Sequence, residues 1–113
     1  MGIREELIKN IKNFVNSADL LYEKADYTSA CILYFKALFS IIDYLLLISG
    51  KGIPKDHTER FQILKSYSSR LYIILDKLYS IYRASYTVSI TKENCDKVRE
   101  NVKKLVKEFK IEI

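Results

Sequence analysis

The chain has 113 residues, 19 Lys and Arg against 14 Asp and Glu for a formal charge of +5, 49% hydrophobic residues, three Gly and one Pro. A chain of this size buries roughly 65% of its unfolded surface, enough for one core in a single domain over residues 1–113, which excludes a dinucleotide-binding enzyme with a separate substrate domain. Sandwiches and barrels need turn residues about every 8–12 positions, which so few Gly and Pro cannot supply, so long helices with few connections remain.

Ile3, Leu7, Ile8, Ile11, Phe14, Val15, Ala18 and Leu21 recur at spacings of three and four, which predicts a first helix over about residues 3–24. Its opening segment alternates charged and apolar side chains with no apolar core segment or small-residue cleavage site, so no signal peptide is expected. Lys24-Ala25-Asp26 reads as a short break in which Asp26 accepts from the N–H groups that open the next helix. The second helix runs to about Ser49 and is ended by Gly50 at a left-handed cap, followed by the Lys51-Gly52-Ile53-Pro54 loop. Tyr27, Ala30, Cys31, Tyr34, Phe35, Ala37, Leu38, Ile41, Ile42, Leu45 and Leu46 cover most of its circumference, leaving a narrow strip of Ser29, Lys36, Ser40 and Asp43. Lys36 and Asp43 would each cost roughly 2.5–3.5 kcal/mol at a bilayer centre, so this is read as a buried central helix, surrounded by others or covered by a second subunit, with no membrane. Seven positions put these two charges ~10 Å apart along the axis, too far to pair. Each therefore needs a partner elsewhere or an exit to water.

Asp56 and Glu59 have capping-box spacing and start a shorter helix through Phe61, Ile63 and Leu64. Tyr67-Ser68-Ser69 marks a kink or break. A fourth helix then buries Leu71, Ile74, Leu75, Leu78, Tyr79 and Tyr82 and exposes Arg70, Asp76, Lys77, Ser80 and Arg83. It ends near Tyr86, where Tyr86 to Ile90 has the β-branched pattern of an extended connector. Thr91 caps the last helix, with Cys95, Val98, Val102, Leu105, Val106 and Phe109 inward and Glu93–Lys97 and Glu100–Lys104 spaced for i,i+4 pairs outside. The expected fold is all-α, an up-and-down bundle of four long helices plus one short helix.

Chemistry-bearing motifs are scarce. The sequence contains no glycine-rich phosphate loop, no HExxH and no GxSxG, and its single His leaves no His-based metal centre, so no metal or cofactor is expected. Cys31 and Cys95 read as reduced core thiols of a cytoplasmic protein, with a disulfide between their helices as the alternative. The first fifty residues carry a net −1 and the rest +6, which makes a polyanion-facing surface an expectation for the second half. Lys92, Arg99, Lys103, Lys107 and Lys110 fall along one edge of the last helix, interrupted only by Asp96; such an edge either follows phosphates or is an ordinary solvated face. The nine tyrosines suggest base stacking, but Tyr34, Tyr79 and Tyr82 lie on apolar stripes and read as core or interface. His57, beside Lys55, Asp56 and Arg60, is a candidate for proton transfer or anion contact, or simply an exposed residue of a first helical turn. The Lys/Ile/Glu-rich, Gln-poor composition points to a thermophile.

Several segments together resemble the HEPN family of small helical bundles, named for nucleotide binding in higher eukaryotes and prokaryotes. Ser17-Ala18-Asp19 and Glu23 through Ala30 resemble its first helix, break and second-helix start, and Tyr34-Phe35-Lys36-Ala37-Leu38 its aromatic-Lys-Ala-Leu core segment. Gly52-Ile53-Pro54-Lys55-Asp56-His57 is similar to its loop ending in a His before a helix, and Tyr82-Arg83-Ala84-Ser85-Tyr86 followed by Thr91-Lys92-Glu93 to its Arg-x-x-x-Tyr segment and final-helix start. The resemblance implies a homodimer, a minimal nucleotidyltransferase partner of a toxin–antitoxin or defence system, and in many branches a metal-independent RNase. Those RNases place an Arg four to six residues before the His; here the window before His57 holds Lys51 and Lys55, and lysine does not reproduce the guanidinium fork. The expectation is therefore a non-catalytic or weakly active protein that binds a nucleotide or such a partner, with His57, Arg60, Arg83, Tyr86 and Lys36 as candidate contacts. The alternatives are a toxin-type RNase using His57 with Arg60 or Arg83 on RNA, and a structural adaptor without ligand.

Overall fold

In the computed structural model, which describes residues 2–113, side-chain caps open every helix but the first, and backbone N–H groups close the helix ends. Helix α1 (Ile3–Glu23) closes through Asp26 N–H to Leu21 O at 3.0 Å, with Ala25 in the left-handed region at φ 62°. The Asp26 carboxylate then accepts from Ser29 N–H at 3.2 Å and opens α2 (Tyr27–Ile48). The α2 end has the same form, with Lys51 N–H on Leu46 O at 2.9 Å and Gly50 at φ 78°. Asp56 accepts from Glu59 N–H at 2.8 Å to open α3 (His57–Tyr67), but Glu59 reaches back to Lys55 N–H rather than to Asp56, one residue earlier than a capping box.

Ser68 makes the next junction a full break. Its N–H closes α3 on Leu64 O at 2.8 Å while its hydroxyl accepts from Leu71 N–H at 3.2 Å to open α4 (Ser69–Ala84). The connector that follows is not extended over Tyr86 to Ile90. Tyr86, Thr87 and Val88 N–H groups bond back to Arg83 and Ala84 carbonyls, so residues 85–88 form a turn that prolongs the end of α4. Thr91 accepts from Asn94 N–H at 3.1 Å and opens α5 (Lys92–Glu108).

These five helices, with no strand among the described residues, pack within 38 × 27 × 23 Å. The core is built around α2, whose Ala30, Cys31, Tyr34, Phe35, Ala37, Leu38, Ile41 and Leu46 have no exposed surface. α2 packs chiefly against α1 and then α5, while α4 touches α2 and α5 only lightly. By length and composition α2 alone among the described helices is apolar enough to cross a membrane, with mean hydropathy 2.0 over a window that is 67% buried in the bundle. Of its large apolar residues only Ile48 is exposed, with Tyr27, Ile32, Leu33, Tyr44 and Leu47 half-buried, so the other helices cover most of it. Cys31 and Cys95 are buried free thiols; a hydrogen bond to Cys95, then burial, pushes the Cys31 thiol far up.

Ala25 pays a steric penalty in the left-handed region that glycine does not. Ala25→Gly is expected to stabilise the protein by about 0.5–1 kcal/mol, the relief of strain exceeding the added unfolded-state entropy, as read from a higher urea midpoint at unchanged slope.

Candidate functional site

Three helices contribute residues at three-four spacing to one cluster. α2 supplies Lys36, Phe39 and Asp43, α3 supplies His57 and Arg60 in its first turn, and α4 supplies Tyr79, Tyr82 and, just past its end, Tyr86. Asp43 is the charge that α2 cannot leave alone. It is 8% exposed, not part of a solvent strip, and it meets Arg60, itself 9% exposed, through two parallel bonds: Nε to Oδ1 at 2.7 Å and Nη2 to Oδ2 at 2.9 Å. Lys36 takes the other route, out to water.

The remaining guanidinium nitrogen, Nη1, lies 2.7 Å from His57 Nδ1. Arginine only donates, so Nδ1 accepts and the imidazole proton sits on Nε2. The ring packs 4.7 Å from Phe39, 5.6 Å from Tyr82 and 5.7 Å from Tyr79 between centroids, and the Arg60 guanidinium stands 5.0 Å over Phe39. Burial and then the Arg60 charge hold the His57 pKa below its ordinary value of 6.5, against the opposing pull of Asp43 and Asp56. His57 is thus neutral at pH 7 with its Nδ1 lone pair occupied. It offers an Nε2–H donor, and acting as a general base requires that it first give up Arg60.

This geometry sets a pH dependence. Between the depressed folded pKa and 6.5 the unfolded chain binds the proton that the folded site refuses, so stability falls as pH drops through that window. His57→Gln is expected to remove this part of the slope, compared with the parent by urea unfolding at pH 7.5 and 5.5.

Beside the cluster, Ile32, Lys36, Tyr82, Ser85 and Tyr86 line a cavity of about 250 Å³. The Tyr82 and Tyr86 hydroxyls are 2.9 Å apart, and burial followed by that bond pushes the Tyr82 pKa up to about 12. Tyr86 is 73% exposed, an unusual state for an aromatic ring. The cavity therefore brings together an ammonium, hydroxyls and an exposed aromatic side chain.

Of the residues singled out in the sequence, His57, Arg60, Lys36 and Tyr86 are brought together through Tyr82. Arg83 is not: one residue beyond Tyr82, it points about 100° around the helix into solvent and pairs with no carboxylate among the described residues. Arg60 adjoins His57, but Asp43 neutralises it. The basic edge of α5 is partly paired within the bundle. Lys92 bonds Asp96 at 3.1 Å, Lys103 bonds Asp19 at 2.7 Å, and Arg99 donates to the Tyr34 hydroxyl at 3.2 Å while stacking 4.6 Å over Tyr22. Tyr34 in turn donates to Asp19, and Tyr22 to Asp96 at 2.5 Å, so α1, α2 and α5 share one polar network. Of that edge, Lys107 and Lys110 stay exposed and outside the network. The i,i+4 pairs Glu93–Lys97 and Glu100–Lys104 do not close.

Sequence reasoning missed Phe39, which seats both His57 and Arg60, and the Asp19–Tyr22–Tyr34 side of the α5 network. A signal existed for Arg60: Asp43 in an apolar helix demanded a cation, and Arg60 follows His57 by one turn. No group of three His, Cys, Asp or Glu among the described residues is placed to hold a metal. The chain matches no protein-family model, no curated protein and no solved structure.

Proposed function

We propose that the chain is a HEPN-like bundle, four longer helices with a short α3 inserted, that binds a nucleotide without cleaving RNA. The observation that carries this reading is the cavity where the Lys36 ammonium and Ser85 lie beside the exposed ring of Tyr86. In this arrangement Lys36 takes a phosphate and Tyr86 stacks on the base, with His57 Nε2–H as a nearby donor. Neutral His57, with Nδ1 held by Arg60, favours binding over acid–base chemistry. The family resemblance adds a cytoplasmic homodimer and a nucleotidyltransferase partner; light scattering tests the dimer.

ATP, GTP and other nucleotides at 100 times Kd stabilise a binding protein by about 2.7 kcal/mol. A thermal-unfolding shift of several degrees is expected for the parent, and its loss in Lys36→Ala and Tyr86→Ala but not in Arg83→Ala. No shift with any nucleotide defeats the reading in favour of an adaptor. Cleavage of mixed RNA that disappears in His57→Ala defeats it in favour of an RNase.

A further inference from the structure

α4 and α5 run antiparallel, clasped at one end by the exposed ion pair of Arg70 with Glu108 and barely in contact along their length. The space between them is a cleft of about 520 Å³ on a different face of α4 from the tyrosine cavity. Its α4 wall is mixed, with half-buried Ile74 and Ile81 two turns apart over the nearly buried Leu78, beside Lys77 and Ser80. Its α5 wall is polar and follows the same repeat, with Asn94, Lys97 and Asn101. Each wall is about 10.5 Å long, two helical turns.

The rim charge has one sign. Lys77 and Lys97 both line the cleft and no carboxylate does, and neither amine pairs with a carboxylate among the described residues, whereas Lys55, Lys92 and Lys103 all do. Asn101 Nδ2 donates to Lys97 O at 2.8 Å, which holds the amide of this wall in place. Two antiparallel helices held apart, one presenting the half-buried Ile74 and Ile81 and the other amides and a cation in step with them, form a bed into which a third helix packs its ridge.

We propose that this cleft docks an amphipathic helix of a partner protein, with apolar anchors two turns apart on Ile74 and Ile81 and carboxylates on its flanks facing Lys77 and Lys97. The charge complementarity selects an acidic helix, and the matched two-turn walls select a helix over an extended segment. This surface is independent of the nucleotide reading.

The test uses a fluorescein-labelled 15-residue helical peptide with leucines at i, i+4 and i+7 flanked by glutamates, and its twin with lysines replacing the glutamates. The parent protein is expected to bind the glutamate peptide at least tenfold more tightly than the lysine peptide, the difference shrinking as salt rises. Lys77→Glu with Lys97→Glu, both exposed positions that leave the fold intact by circular dichroism, is expected to invert the preference. Equal affinity for both peptides, or a preference that the double variant does not change, overturns the proposal. So does binding of decanoate with no peptide binding, which marks a small-amphiphile cleft, or a dimer in light scattering that the double variant dissociates, which makes the occupant a second copy of the chain.

Discussion

Arg60→Ala is expected to destabilise the protein by about 3–5 kcal/mol, a large part of the stability of a domain this size, because it leaves the Asp43 carboxylate buried at 8% exposure without its fork. The loss comes mainly from stranding a charge rather than from the worth of the pair. A double replacement, Asp43→Leu with Arg60→Met, is accordingly expected to recover most of it, since it removes both desolvation penalties and keeps the volume. Arg60→Lys separates geometry from charge: one ammonium cannot bond both carboxylate oxygens and His57 Nδ1 together, so it is expected to fall between parent and alanine. The imidazole reports the same change. With the guanidinium gone and the pull of Asp43 and Asp56 remaining, the His57 pKa is expected to rise in Arg60→Ala, followed by NMR titration of the single histidine. Unfolding free energies from urea that differ from the parent by less than about 1 kcal/mol would show the pair to be solvated and the site loose.

The parts of this molecule legible in the sequence are those decided locally. Asp26, Asp56 and Thr91 each cap the helix that follows, because a cap needs only an oxygen three residues before a backbone N–H. The burial of α2 was legible from its composition, and the requirement that Lys36 and Asp43 find a partner or water followed from desolvation alone. What the sequence withheld was which partner. Arg60 lies 17 residues from Asp43 on a helix with no strong apolar stripe, and nothing in its own surroundings marks it as buried. The partners of the α5 basic edge were withheld for the same reason at longer range. Arg99 and Lys103 read as a surface row until α1 and α2 place Tyr34 and Asp19 against them, 65 and 84 residues away. The connector after α4 misled in another way: β-branched residues favour extended backbone only weakly, and the three N–H groups of Tyr86, Thr87 and Val88 gain more by bonding back onto the helix end.

The tyrosine cavity depends on a residue that does not line it. Phe35 has no exposed surface, and its ring lies 5.2 Å from Tyr82 and 5.9 Å from Phe39, so it is the floor on which both the cavity and the His57 cluster rest. Phe35→Ala is expected to destabilise the protein by about 3–5 kcal/mol, the lost transfer free energy of the ring plus the void it leaves. α4 makes the void consequential, because so little of its backbone touches α2 that aromatic side chains bridge the gap. Tyr82 then has room to sink, which breaks its bond to the Tyr86 hydroxyl and removes the wall opposite Lys36. Phe35→Leu refills most of the space and is expected to cost about 1 kcal/mol, and Lys36→Ala, at an exposed position, less than about 0.5 kcal/mol. The three variants separate support from contact. If the cavity holds the ligand, Lys36→Ala loses nucleotide stabilisation with stability intact, whereas Phe35→Leu keeps the contacts and weakens binding only as far as Tyr82 moves. A Phe35→Leu protein that binds nucleotide less well than Lys36→Ala would place the ligand against the aromatic cluster itself rather than in the Lys36–Tyr86 cavity.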